Sequence, residues 1–105
     1  MRMTRSDPRP AWTLVTSHGR VLLYVAINAE ATIRDISNHV GLTDRRVMEI
    51  LRDLRDADQI SIERRGRRNI YTVLPDATFL HPQISRVSVQ AFLRLIQEEQ
   101  QKAAS

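Results

Sequence analysis

A change of apolar period within one short stretch limits this chain more than anything else. Val47, Ile50, Leu51 and Leu54 fall at i, i+3, i+4 and i+7. That spacing lines one face of a helix and cannot serve a strand. Within a few residues the rhythm becomes two. Ile60 and Ile62 alternate with polar residues, and after Gly66 the period of two pairs Ile70 with Thr72 and Tyr71 with Val73. A glycine between two β-favouring runs is a hairpin signature. The chain must therefore pack a helix against a hairpin that follows it directly.

The residues before this stretch extend the pattern. Val21–Ile27 reads "VLLYVAI", apolar around nearly its whole circumference. It predicts a helix from about Ser17 to Asn28, buried on more than one side. Thr32 followed by Asp35 has capping-box spacing and predicts a short helix over Ile33–Val40. Gly41 supplies a turn residue that tolerates positive φ. Thr43 is a good N-cap, and Asp44 suits the positive end of the next helix. That helix should end near Ala57–Asp58. Pro75 and Pro82 bracket a loop. A last helix is expected over roughly Ile84–Gln101.

Composition narrows the class. With 105 residues, 42% apolar and 27% charged, a single soluble globular domain is expected. The formal charge is +4, the sequence pI is about 10.6, and Lys102 is the only lysine. Arginine's planar fork suits phosphate and guanine, and a basic balance raises the expectation of nucleic acid. There is no cysteine, which removes disulfides, thiolate metal sites and cysteine catalysis. "MRMTRSDPRPAW" has no apolar stretch behind it suited to a signal peptide, and "VLLYVAI" is too short to span a bilayer. A cytoplasmic protein without membrane contact is the expectation.

Nothing points to catalysis. Three glycines, Gly19, Gly41 and Gly66, form no phosphate-cradling loop, and no nucleophile elbow occurs. His18, His39 and His81 are scattered. The expectation is no enzyme, no cofactor and no metal. Trp12 is expected to anchor an N-terminal arm onto the core.

Ile33–Leu54 has the pattern of a helix-turn-helix. Ile36 and Val40 face the second helix, Gly41 bends the chain, and Leu42 anchors the turn. The face opposite the buried stripe holds Asp44, Arg45, Arg46, Glu49, Arg52 and Asp53. A recognition helix sets its N-terminal residues against base edges in the major groove. The candidates for readout are therefore Thr43, Asp44, Arg45, Arg46, Glu49 and Arg52. Arginine matches guanine O6 and N7, whereas Glu49 can accept from cytosine N4 or pair with Arg45 or Arg46. Taken alone, this face reads first as an ordinary solvated one; the turn glycine and the basic hairpin that follows at once favour readout.

At this point the sequence resembles a known family. The order of helix, short helix, "VGLTDRRVMEILRDLRDADQI" and "ISIERRGRRNIYTV" looks like winged-helix transcription regulators of the ArsR and MarR kind. "HGRVLLYVAI" is similar to their first core helix. The resemblance covers about residues 17–74. It implies a mainly α fold with a small β-hairpin (α+β), a winged helix-turn-helix with an additional C-terminal dimerisation helix. Domain boundaries follow: an arm over 1–12, the DNA-binding domain over 13–80, and the C-terminal helix over 81–105.

The resemblance makes Gln59–Val73 the wing. Arg64, Arg65, Arg67, Arg68 and Asn69 would lie along phosphate or reach a minor groove. The bland alternative is a charged turn that protects a sheet edge. Three departures count. "TIRDISNHV" stands where arsenic sensors carry a cysteine motif. Asp58 stands where relatives often have glycine. The long flanking helices of the MarR effector pocket are missing. Metal or drug sensing is therefore not carried over.

The last helix has an apolar arc wider than one small domain needs. Ile84, Val87, Ala91 and Leu95 share one face, and Val89, Phe92, Leu93 and Ile96 the adjoining one. A second subunit is the expected cover, with Leu22, Val89, Phe92, Leu93 and Ile96 at the interface. The alternative is a helix that caps a monomer core. The functional expectation is a homodimeric, sequence-specific regulator of double-stranded DNA, a repressor. Its rival is a winged-helix module for protein–protein assembly with no DNA target, supported by the acids Asp44, Glu49, Asp53, Asp56 and Asp58.

Overall fold

The computed structural model of the chain describes residues 15–78 and 87–104. The arm, Trp12, His81, Pro82, Ile84 and the expected domain boundaries lie outside the described residues. In chain order come α1 (Ser17–Ile27), α2 (Ile33–Val40), α3 (Asp44–Asp56), β1 (Ile60–Arg65), β2 (Arg68–Val73) and α4 (Val89–Ala104). The two strands pair antiparallel, with Ile60 opposite Val73 and Arg65 opposite Arg68.

Each of the first three helices starts at a side chain that caps it. Thr16 caps α1 by accepting from the Gly19 amide. Thr32 and Asp35 form the reciprocal capping box of α2. Thr43 caps α3 by accepting from the Arg46 amide at 3.1 Å. Between α2 and α3, Gly41 sits at φ 75, and the amides of Gly41 and Leu42 both reach the Ser37 carbonyl. A left-handed residue there ends α2 and reverses the chain.

Helix α3 ends at Asp56 with Ala57 as its C-cap, near the expected place, and Asp58 closes it in an unusual way. Asp58 takes φ 57, the one non-glycine residue with positive φ among the described residues. Its amide bonds the Arg55 carbonyl at 3.0 Å, and the Gln59 amide bonds the Leu54 carbonyl at 2.9 Å. These two bonds are the Schellman pair. Asp58 thus performs the task usually given to glycine, against the steric cost of its own Cβ.

The core lies where α1, α2, α3 and the hairpin meet. Val21, Val25, Ile36, Val47, Ile50 and Ile60 are almost wholly buried, with Leu51, Leu54, Tyr71 and Val73 around them. Strand β2 is also tied to the α1–α2 connection, because the Tyr71 amide donates to the Ala29 carbonyl at 2.9 Å. Gly66, at φ 61, is the first of two turn residues between the strands. Glycine at that position gives a hairpin turn whose twist matches the strands.

Helix α4 begins at Val89, later than the expected start at Ile84. The Ser88 backbone pairs with Thr78 in an isolated bridge. The Ser88 hydroxyl then accepts from the Ala91 amide at 3.0 Å, as an N-cap does. Val87 therefore precedes the helix. Among the described residues, the first turns of α4 join it to the core. Val89 and Leu93 join the core, and the Gln90 side chain donates to the Val73 carbonyl at 3.1 Å. From Gln97 to Ala103 every side chain is exposed.

Candidate nucleic-acid interface

Helix α3 is held in place by side chains reaching it from α1 and α2. Asp44, expected on the open face, turns back towards α2. It accepts from the Ser37 hydroxyl at 2.6 Å and from Arg34 at 3.0 and 3.2 Å. Asp44 sits in the first turn beside the buried stripe, so its carboxylate also faces the positive helix end. The hydrogen bond from Ser37, and then Arg34, hold its carboxyl below the usual carboxylate range. From α1, His18 Nε2 lies 2.8 Å from Asp53 Oδ2. Asp53 therefore links two helices and does not stand free.

Arg20 of α1 completes this frame. Its guanidinium donates to the Val40 carbonyl at 2.7 Å and to the Ser17 hydroxyl at 3.2 Å. It satisfies a carbonyl that the end of α2 would otherwise leave open, at the negative end of that helix. Sequence reading passed over Arg20, Arg34 and Ser37. A lone arginine inside "SHGRVLLYVAI" was the available signal for the first of these.

The outward face of α3 carries Arg45, Met48, Glu49 and Arg52. The Arg45 side chain is 90% exposed and its Nε lies 3.8 Å from Glu49, while Arg46 lies 3.2 Å from the same carboxylate. Exposed pairs of this kind contribute little to stability and open readily. Arg52 is exposed and has no acceptor among the described residues. Thr43 is exposed but its hydroxyl is engaged in the cap. Of the six expected readout residues, Arg45, Arg46, Glu49 and Arg52 share one surface, whereas Thr43 and Asp44 build the helix start.

In the hairpin, strand alternation sorts the arginines. Arg64 and Asn69 are opposite each other on the face that carries Ile62 and Tyr71. Asn69 is half-buried, with Nδ2 3.5 Å from the Tyr71 hydroxyl. Arg64 donates to the Gly66 carbonyl at 2.9 Å and so stiffens the tip. Arg65 and Arg68 share the other face. Arg65 lies 3.3 Å from Glu63, and Arg68 donates to the Glu30 carbonyl at 3.0 Å. Arg68 is thus a strut between the hairpin and the α1–α2 connection. Arg67, at the turn, is exposed with no acceptor among the described residues.

The expected dimer-interface residues divide as well. Leu22, Val89 and Leu93 are buried within this chain's own core, so they have almost no surface left for a partner. Phe92 and Ile96 are half-buried, and Leu95 is 54% exposed. A groove of about 390 Å³ runs between α4 and β2, lined by Ala26, Tyr71, Val73, Gln90, Leu93 and Arg94 among others. Among the described residues no three His, Asp or Glu side chains come together as metal ligands do. No helix among them is long and apolar enough to cross a membrane.

Helix-turn-helix, hairpin and added C-terminal helix together define a winged helix-turn-helix of the α+β class. Two solved structures of MepR bear this out. The chain is similar to MepR, a transcription regulator of the Staphylococcus aureus multidrug efflux pump MepA, at 21% identity and a TM-score of 0.55. That match covers 87% of this chain and 64% of MepR. A point mutant of S. aureus MepR matches at 19% identity and a TM-score of 0.53, over 86% of this chain and 64% of that one. AntR, an antimony-specific transcriptional repressor, matches at 20% identity and a TM-score of 0.46, over 94% of this chain and 99% of AntR. The chain spans a little under two thirds of the length of MepR. No protein-family model matches the chain, and no curated protein does.

Proposed function

We propose that the chain is a sequence-specific regulator that binds double-stranded DNA as a homodimer and represses transcription by occupying its site. The observation that carries the reading is the placement of arginines. Arg45 and Arg52 stand on the open face of α3, and Arg64, Arg65 and Arg67 crowd the hairpin tip that follows it. All are exposed, and none is used to hold helices together. Helix α3 would enter the major groove, where arginine forks read guanine. The hairpin would lie on phosphate or in a minor groove. The acids of α3 support the assembly-module rival less than their number implies. Asp44 and Asp53 already bind Arg34 and His18, and Asp56 binds Arg55.

Titration of labelled duplex DNA at several salt concentrations tests the reading. Binding should weaken as salt rises. Changing Arg64, Arg65 and Arg67 together to Ala should make the salt slope shallower by about 0.9 for each phosphate no longer neutralised. No duplex binding at low salt would overturn the DNA reading and leave the assembly module.

A further inference from the structure

Met48 is the one large apolar side chain that the open face of α3 leaves in water. It is 43% exposed and belongs neither to the core nor to the half-buried residues packed on it. Its neighbours on that face are Arg45, three residues before, and Arg52, four residues after. This spacing sets the three side chains in one row along the helix. Arg45 to Arg52 spans about 10 Å of helix axis, or roughly three base steps at about 3.4 Å each. The row reads fork, apolar tip, fork.

The apolar and acidic residues of α3 have occupations that Met48 lacks. Val47, Ile50, Leu51 and Leu54 fill the core. Asp44 and Asp53 bind the neighbouring helices, and Glu49 sits between Arg45 and Arg46. Met48 is not packed against the core, so its side chain is free to meet a partner. The major groove offers one apolar feature on any base edge, the C5 methyl of thymine. An unbranched thioether can adapt its shape to that methyl group.

We propose that Met48 is a specificity-determining residue that packs on a thymine methyl in the major groove, between bases contacted by Arg45 and Arg52. This rests on the DNA reading above. The test uses the full chain and a duplex selected from a random pool. Each thymine in turn is replaced by deoxyuridine, which removes only the methyl group. At one position per half-site the wild type should lose about fourfold in affinity, the equivalent of about 0.8 kcal/mol for one buried methyl group. Met48→Ala should bind the thymine duplex more weakly and be indifferent to the uracil change at that same position. Met48→Gln, which keeps the length of the side chain, should also be indifferent. If no thymine is sensitive, or if both variants keep the wild-type sensitivity, Met48 does not read the methyl. Those outcomes leave duplex binding intact. Loss of all duplex binding by the wild type at low salt would instead remove the DNA reading and this one with it.

Discussion

Among single residues, Asp44 shows how one carboxylate can be taken from a surface and given to the frame. It closes the start of α3 by binding Ser37 and Arg34 of α2. Its folded pKa lies below the ordinary value, chiefly because Ser37 donates to the ionised form. Ionisation therefore stabilises the fold at pH above about 4, near the unfolded value. That contribution fades as pH falls through the lower, folded value. Asp44→Asn should melt below the wild type at pH 7, with the gap closing towards pH 2. Thermal melts followed by circular dichroism at both pH values check this. An unchanged gap at pH 2 would assign the effect to shape and not to charge. Asp44 was legible as a helix-start residue, because that role depends only on sequence position. Its partner was not, because Ser37 comes near only once the turn at Gly41 has formed. The same holds for Arg20 and Val40, 20 residues apart, and for His18 and Asp53, 35 apart.

Among the helices and strands, the most local features were the most readable. The Thr32–Asp35 pair, Gly41, Thr43 and the alternation around Gly66 all specify backbone states within a few residues. The start of α4 was misplaced because Ser88 was not read as a cap. Ile84 and Val87 continued the helical spacing in the sequence, whereas in the structure Ser88 pairs with Thr78 and α4 starts after it. Asp58 was read as a departure, but the left-handed turn forms there anyway. The Leu54 and Arg55 carbonyls need the Schellman bonds, and this need outweighs the strain at one residue. That strain remains in the fold. Asp58→Gly should relieve it and stabilise the chain by about 1 kcal/mol, less what glycine adds to the freedom of the unfolded chain. In a domain of this size the melting temperature should rise by a few degrees, roughly 4–8 °C per kcal/mol. A variant that melts at or below the wild-type temperature would show that Asp58 contributes something besides its backbone conformation.

For the chain taken together, α4 distributes its apolar arc unevenly. The expectation was one face on the domain and the adjoining face, with Val89, Phe92, Leu93 and Ile96, on a partner; the described residues divide along that line with the two faces exchanged, since Val87, Ala91 and Leu95 are the exposed ones. Val89 and Leu93 face inward, while Leu95 stands in water with Ile96 half-covered beside it. The proposed second subunit would rest on this outer part and not on Leu22. Leu95→Glu would place a charge at the centre of that contact. The wild type should scatter light as a dimer at micromolar concentration and Leu95→Glu as a monomer, with the helical content unchanged. A wild type of monomer mass would end the dimer reading, and a dimeric Leu95→Glu would move the contact elsewhere.

The short attachment of α4 has a mechanical side. Among the described residues the helix joins the core at Val89, Gln90 and Leu93, and its axis runs on to Ala104, about 16 Å beyond Leu93 at 1.5 Å per residue. It is a lever with its pivot against Val73. A tilt of about 10° at the pivot would carry the far end roughly 3 Å sideways over that length. In a dimer held through the lever arms, so slight a tilt would change the distance between the two copies of α3 by a similar amount, close to one base step. The spacing of the two half-sites would then be set less by the DNA-facing surface than by the packing of two or three side chains behind it.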